Sequence, residues 1–170
     1  MCIFNNCNRC NNCCRPSCCN RYPLINTLPR PPIIPPPITP SLIGTYNASS
    51  GDITTGATLP LGTQYVSAGT NATYTPASNT ITLSDGIYRV SYGVDATGTT
   101  GIASIALANN GSTIPQSISN TTLTAETDVA RLSSTIIVDA QATPITLSLV
   151  NSGTTTTTYN NTTLNASQII

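Results

Sequence analysis

Seven cysteines fall within the first 21 residues: Cys2, Cys7, Cys10, Cys13, Cys14, Cys18 and Cys19. They are the side chains whose type and spacing point most directly to covalent or metal chemistry. Cys7-x-x-Cys10-x-x-Cys13 suits a soft metal such as zinc. A zinc knuckle, however, takes two ligand pairs separated by a longer loop, often with histidine, and this chain has no histidine. An odd number of cysteines leaves at least one thiol outside any closed set of internal disulfides. The adjacent pairs Cys13-Cys14 and Cys18-Cys19 also do not bridge easily within themselves. Intermolecular disulfide cross-linking is the favoured reading, with a zinc-holding head and a reduced, unstructured tail as the alternatives. The filler (Asn5, Asn6, Asn8, Asn11, Asn12, Asn20) offers no core-forming pattern, so the head is expected to be flexible until linked.

The rest of the chain is chemically quiet. With no histidine and no lysine, Ser-His-Asp catalysis, Ser-Lys catalysis and Schiff-base chemistry are excluded. A lysine–asparagine isopeptide staple is excluded on the same ground. The six acids are Asp52, Asp85, Asp95, Glu126, Asp128 and Asp139. Glu126 and Asp128 read as a solvated turn, and Asp52 and Asp85 as turn residues. None makes a glycosidase carboxylate pair or an Asp-rich calcium loop. The Asn-x-Ser/Thr triplets at Asn47, Asn71, Asn110, Asn120, Asn161 and Asn165 reflect composition in a Thr- and Asn-rich chain. The expectation is a protein that is not an enzyme and uses no cofactor.

Charge is sparse: 7% of residues, against about 25% in an ordinary soluble protein. Residues 1–40 hold Arg9, Arg15, Arg21 and Arg30 and no acid, for a net +4. Residues 41–170 hold Arg89 and Arg131 against all six acids, for −4. Four arginines are too few to argue for nucleic acid. The asymmetry fits mild attraction between the head of one molecule and the body of another. A low-charge surface favours association over repulsion. Met1-Cys-Ile-Phe-Asn-Asn-Cys7 has no apolar stretch of the kind a secretory signal carries. No apolar run reaches the roughly 20 residues of a membrane span.

Three segments must position this chemistry. Residues 1–21 are the cysteine-rich head. Residues 22–40 are a connector, in which seven of the thirteen residues from Leu28 to Pro40 are proline. Proline fixes φ and removes a backbone donor, so the connector is expected to run as a polyproline II rod. At about 3.1 Å per residue those thirteen residues span roughly 40 Å. A pure spacer has no need of Ile33, Ile34 and Ile38 around Pro35, Pro36 and Pro37. A docking peptide does, and these six are the candidate docking residues.

Residues 41–170 read as all-β. In Gly86–Asp95, Tyr88, Val90, Tyr92 and Val94 share one face, and Arg89, Ser91 and Asp95 the other. Pro144–Val150 puts Ile145, Leu147 and Leu149 inward, and Ala130–Val138 puts Leu132, Ile136 and Val138 in phase. Gly101–Ala108 is rich in small residues, which predicts burial on both sides. Asn109-Asn-Gly111 is a strong hairpin turn leading to Ser112–Pro115. Further strands are expected at 42–47, 64–67, 72–75, 80–83 and 163–170. A chain stopping in a strand usually has that strand tied into a sheet. The one short helical turn allowed for is at Thr121–Val129. Short strands broken by Gly, Asn and Pro predict a β-sandwich or barrel.

Two stretches go further. Asp85-Gly-Ile-Tyr-Arg-Val-Ser-Tyr-Gly-Val94 resembles the G-x-Y-x-V/I strand of C1q/TNF-like jelly rolls. Ile105-Ala-Leu-Ala-Asn-Asn-Gly-Ser-Thr-Ile-Pro115 resembles the I-x-L-x-x-N-G-x-x-I/V-P hairpin of bacterial members, such as the C-terminal domain of the collagen-like exosporium protein BclA. Pro31-Pro-Ile-Ile-Pro-Pro-Pro-Ile-Thr-Pro-Ser-Leu-Ile-Gly44 is similar to the leader of exosporium proteins and of the thin, F-type endospore appendage (Ena) subunits. The resemblance implies a jelly-roll sandwich that forms homotrimers, joined through N-terminal connectors and disulfides into fibres. It implies a spore-surface location, manufacture in the mother-cell cytosol, and exosporium or spore-coat proteins as further partners. One departure is the missing Gly-X-Y collagen stalk, which points to a directly linked fibre subunit or anchor. The alternative is a tethered trimeric C1q-like module that recognises a carbohydrate or receptor.

Overall fold

Alternation of apolar and polar residues dictates the architecture. Tyr88, Val90, Tyr92, Val94 and Ala96 are all buried along one side of a single strand, each at 3% exposure or less. A strand with one apolar face must pack that face against another sheet. The computed structural model describes residues 39–98 and 100–170. The cysteines at positions 2–19 and the connector residues Ile33, Ile34, Pro35, Pro36, Pro37 and Ile38 lie outside the described residues.

Among the described residues eleven strands build the fold: β1 (Leu42–Ile53), β2 (Thr63–Ala68), β3 (Ala72–Thr75), β4 (Thr80–Leu83), β5 (Ile87–Thr97), β6 (Gly101–Asn109), β7 (Ser112–Thr113), β8 (Ser119–Leu123), β9 (Val129–Asp139), β10 (Ile145–Asn151) and β11 (Thr157–Gln168). They form two antiparallel sheets. The first has the order β2-β1-β11-β5-β9, and the second β3-β4-β10-β6-β7, with β8 also paired to β6. β11 therefore lies in the middle of its sheet, between β1 and β5, which ties residues 157–168 in on both edges.

The core between the sheets collects Ile43, Leu61, Ile81, Leu83, Tyr88, Val90, Tyr92, Val94, Ile105, Leu107, Leu147, Leu149, Tyr159 and Leu164. Threonine enters it too: Thr45 and Thr162 are fully buried. Their hydroxyls are satisfied, Thr45 Oγ1 donating to the Leu164 carbonyl at 3.3 Å and Thr162 Oγ1 lying 3.2 Å from Ser50 Oγ. On β6 every residue from Ala103 to Ala108 is buried, so the small residues there do report burial on both faces. Asn110 (φ 49°) and Gly111 (φ 82°) both sit in the left-handed region, as a two-residue turn twisted to match its strands requires.

The strands at 72–75 and 80–83 match the sequence reading. Three expectations are corrected. Thr121–Val129 contains no helical turn: Ser119–Leu123 pairs with β6, Gly101 opposite Leu123 and Ile105 opposite Ser119, and residues 124–128 then turn. Among the described residues the 3-10 turn is instead at Pro115–Ser117. Asp52 is a strand residue of β1, opposite Thr158, and its carboxylate accepts from the Thr158 hydroxyl. The final strand starts six residues earlier than expected, at Thr157, because it passes through a bulge between Asn160 and Thr163. Asn161 takes a positive φ there, which asparagine tolerates better than most residues.

Three tyrosines tie the layers together. Tyr92, on β5 of the first sheet, donates its hydroxyl to the Ser117 carbonyl at 2.5 Å and lies 3.1 Å from that of Ile105 on β6. Tyr159, on β11, reaches the Ser104 carbonyl at 3.0 Å and Asn151 Oδ1 at 3.1 Å. Tyr88 reaches the carbonyls of Ser84 at 2.7 Å and Asn71 at 3.0 Å. Each phenol crosses an apolar core to a backbone acceptor, which is how a buried tyrosine is normally accommodated.

Candidate assembly surface

The two faces of the first sheet differ in kind. Inward residues make the core; outward residues make a broad surface of small and neutral side chains. In register, one row runs Leu42, Ser167, Arg89, Ile137, and the next Gly44, Asn165, Ser91, Thr135. A third runs Tyr46, Thr163, Gly93, Ser133. Nine large apolar residues are exposed among the described residues. Five of them lie on this one face: Leu42 (38%), Tyr46 (41%), Tyr65 (60%), Val129 (69%) and Ile137 (58%). Scattered singly, exposed apolar residues mean nothing; gathered on one face of one sheet, they mark an interaction surface.

Two glycines keep that surface flat. A Cβ on Gly44 would meet Tyr65 Cζ at 2.7 Å, and one on Gly93 would meet Arg131 Cζ at 3.0 Å. The large side chains of the edge strands β2 and β9 thus lie down across glycines of β1 and β5. Tyr65 is fixed there by its hydroxyl on Asn165 Oδ1, and Tyr46 by its hydroxyl on Asn161 Oδ1 at 3.1 Å.

Part of the charge on the face is paired. Arg131 Nη1 lies 2.9 Å from Asp95 Oδ1, the one salt bridge among the described residues. Asn161 Nδ2 donates to the other Asp95 oxygen at 2.8 Å. The Asn161 hydrogen bond, with Arg131 beside it, holds the Asp95 carboxyl below its ordinary pKa. At half exposure for Arg131 the pair adds at most about 1 kcal/mol to folding. Its effect is to pair two charges in the middle of the face. Arg89, opposite Ile137, remains as an exposed cation near one end, and Asp139, opposite Ile87, and Asp52, opposite Thr158, are exposed carboxylates on the same face.

The cysteines and the connector residues singled out from sequence are not placed. Association was expected from a low-charge surface, with no residues assigned to a face. One signal was available: Ile136-Ile137-Val138 is an apolar triplet inside an alternating strand, and alternation forces its middle member outward. Leu42 beside the inward Ile43 carries the same signal. Glu126 and Asp128 do sit in an exposed turn, where Asp128 accepts from the backbone amides of Thr124 and Ala125 and from the Thr124 hydroxyl. Those bonds, the Thr124 hydroxyl first, lower its pKa. Among the described residues no three acidic or cysteine side chains converge. Among the described residues no helix is long and apolar enough to cross a membrane.

The tyrosine struts give the fold an alkaline limit. Burial raises the pKa of Tyr88 and Tyr92, and pushes that of Tyr159 to about 12, from an ordinary 10.0. Below pH 10 folded and unfolded chains both keep the phenolic protons, so stability is at its full value. Above it the unfolded chain ionises first, and stability falls until the folded phenols titrate. Each pH unit in that window is expected to cost about 1.4 kcal/mol per buried tyrosine. Tyrosinate absorbance and far-ultraviolet circular dichroism followed together against pH check this. The buried phenols should ionise in the same step in which the strands are lost.

No family model matches the chain, and no curated protein matches its sequence. Solved structures match its shape. The globular domain of zebrafish complement 1qA protein superposes with a TM-score of 0.55 at 8% identity, covering 77% of this chain and 98% of that one. Eiger TNF from S. frugiperda superposes with a TM-score of 0.54 at 14% identity, covering 77% and 94%. At such identities the likeness speaks for the fold alone: the described chain is an all-β, C1q/TNF-like jelly-roll sandwich.

Proposed function

We propose that this protein is a structural subunit, or anchor, of a fibre on the spore surface. Its jelly-roll domains associate as trimers through the outward face of the first sheet. N-terminal connectors then join one assembly to the next, and the cysteine heads lock the joints as intermolecular disulfides. The observation that carries this reading is the gathering of Leu42, Tyr46, Tyr65, Val129 and Ile137 on one face of the first sheet. A surface of that kind is suited to a second protein surface, and a low-charge protein does little to repel its own copies. The connector adds apolar side chains to a stiff rod, and a contact between a rod and a distinct site on another copy propagates instead of closing. Disulfides persist in an oxidising setting such as a spore exterior. The spore location rests on the resemblance of the connector and hairpin to exosporium and appendage proteins.

Electron microscopy of the purified full chain tests the reading. Filaments are expected that shorten when reductant is added. Deleting residues 22–40 is expected to leave discrete particles and no filaments. Filaments that persist without residues 22–40 would overturn it. Discrete trimers of the intact chain that bind glycans would favour a recognition module instead.

A further inference from the structure

The β6–β7 hairpin turns on Asn110 and Gly111, both exposed. Asn110 is the only asparagine of the chain that is followed by glycine. The pair suits the turn, since both positions take positive φ, 49° and 82°. It also sets two reactive groups side by side. Bonding of the Gly111 amide nitrogen to the Asn110 carboxamide carbon closes a five-membered ring, so the reaction partner is always at hand. A side chain at 111 would crowd that approach. Gly111 has none, and a Cβ built there would meet nothing within 4 Å, which leaves the turn open to water.

Other asparagines are tied down. Asn47 Nδ2 donates to Ser50 Oγ at 3.0 Å and to the Pro60 carbonyl at 3.2 Å. Asn151 Nδ2 donates to the carbonyls of Ile53 at 2.8 Å and Thr155 at 3.0 Å. Asn161 Nδ2 donates to Asp95 at 2.8 Å. In each case the nitrogen that would have to leave is held, and the next residue (Ala48, Ser152 or Thr162) carries a side chain. At the hairpin tip the backbone amide of Asn110 donates to the Thr146 carbonyl at 2.9 Å, and β7 pairs with β6 through Ser112 and Thr113 alone. Pairing that short at an exposed tip opens at low cost, which lets the Asn110 backbone rotate into the geometry of attack.

We propose that Asn110 is a site of spontaneous covalent modification, at which the exposed Asn110-Gly111 turn converts its own carboxamide to a carboxylate. The Gly111 amide nitrogen gives its proton to solvent base and bonds to Asn110 Cγ. The Cγ–Nδ2 bond breaks, and the nitrogen takes up a proton and leaves as ammonia. Water then adds to one carbonyl of the resulting succinimide. Opening at Cγ gives aspartate. Opening at the main-chain carbonyl gives isoaspartate, whose backbone runs through Cβ and Cγ. The sum is one water consumed and one ammonia released, with no change of oxidation state. The six strands of the second sheet hold no charged residue, so either product puts a carboxylate at the end of a sheet that had none. Aspartate before glycine still suits the turn. Isoaspartate adds a backbone atom and disturbs the pairing of Asn109 with Ser112. The disturbance stops there, because the Ile114 amide donates to the Leu107 carbonyl at 2.8 Å and Ser117 Oγ accepts from the Leu107 amide at 2.8 Å.

Mass spectrometry of the full chain, sampled over time in mildly alkaline buffer, tests this. Trypsin releases residues 90–131 as one peptide, between Arg89 and Arg131, and it holds Asn109, Asn110 and Asn120. Exchange of NH2 for OH is expected roughly tenfold or more faster at Asn110 than at Asn120, which is also exposed but precedes threonine. The aspartate product is expected to elute with the Asn110→Asp variant on anion exchange, and that variant gains no mass at the turn. Equal rates at Asn110 and Asn120 would overturn the proposal. So would a gain at Asn110 that appears only once urea has unfolded the chain.

Discussion

Replacing Tyr92 with alanine is expected to cost about 3–5 kcal/mol, the range for removing a large aromatic side chain from a packed core. The ring is 3% exposed and lies among the inward residues of both sheets. Its hydroxyl also holds the carbonyls of Ile105 and Ser117, and Ser117 is itself fully buried. Ser117 Oγ in turn accepts from the Leu107 amide at 2.8 Å and donates to the Ile114 carbonyl at 2.7 Å. The phenol therefore anchors the 3-10 turn between β7 and β8, and through it the edge of the second sheet. Alanine would leave a cavity and two buried carbonyls short of a donor. Against a total stability of about 5–15 kcal/mol, that is a large fraction of the whole. Phenylalanine separates the two contributions: it keeps the packing and loses only the hydroxyl, for an expected loss of about 1–3 kcal/mol. Urea unfolding followed by circular dichroism measures both. A loss under about 1 kcal/mol for alanine, the level of an exposed site, would mean that the turn is not held by this residue.

How much of this was legible beforehand depended on whether a residue's neighbours in sequence or in space decide its role. The alternation of Tyr88, Val90, Tyr92 and Val94 set the inward face of β5, because one buried face imposes a period of two. Ala103, Ala106 and Ala108 advertised burial on both sides of β6, and Asn110-Gly111 its turn, because only residues tolerant of positive φ fit there. Residues 157–162 were missed. Asn160-Asn161 reads as a turn, and nothing local shows that β5 continues to pair across the bulge. Thr157 and Thr162 look like solvent residues, and are buried only because hydroxyls and carbonyls close by can satisfy them. Ser119–Leu123 has four polar residues in five and becomes a strand because β6 offers an edge. The assembly face is the same problem at larger scale. Tyr65 and Val129 stand at opposite edges of one sheet and 64 residues apart in sequence, and only the strand order brings them to a single surface. The head and the connector through Ile38 lie outside the described residues, so their chemistry stands on composition as an expectation.

Carboxylates on that surface, in a chain lacking residues 1–40 so that neither head nor connector can join copies, are expected to abolish self-association while leaving the domain folded. The substitutions to make are Tyr65→Glu and Val129→Glu, singly and together. These are the two most exposed large apolar residues of the face, at 60% and 69%. They sit on β2 and β9, the two edge strands, so a partner covering this face must cover at least one of them. Their exposure in the single domain means little stability is at stake. A change of about 0.5 kcal/mol is ordinary for a surface site, with a further small loss at Tyr65 from its hydrogen bond to Asn165. In a closed interface a carboxylate has no such latitude. Burying an unpaired charge costs several kcal/mol, and about 4 kcal/mol lowers an association constant roughly a thousandfold. Arg131 does not rescue the glutamates, because its guanidinium is already held by Asp95 and by the Asn161 carbonyl. Mass by light scattering, with thermal unfolding of the same samples, reads both quantities at once. Monomers with a near-native melting temperature are the expected result for the double variant. Native-sized particles from the double variant would place the contact elsewhere, on the second sheet or at the ends of the domain. The flatness given by Gly44 and Gly93 would then serve the fold alone.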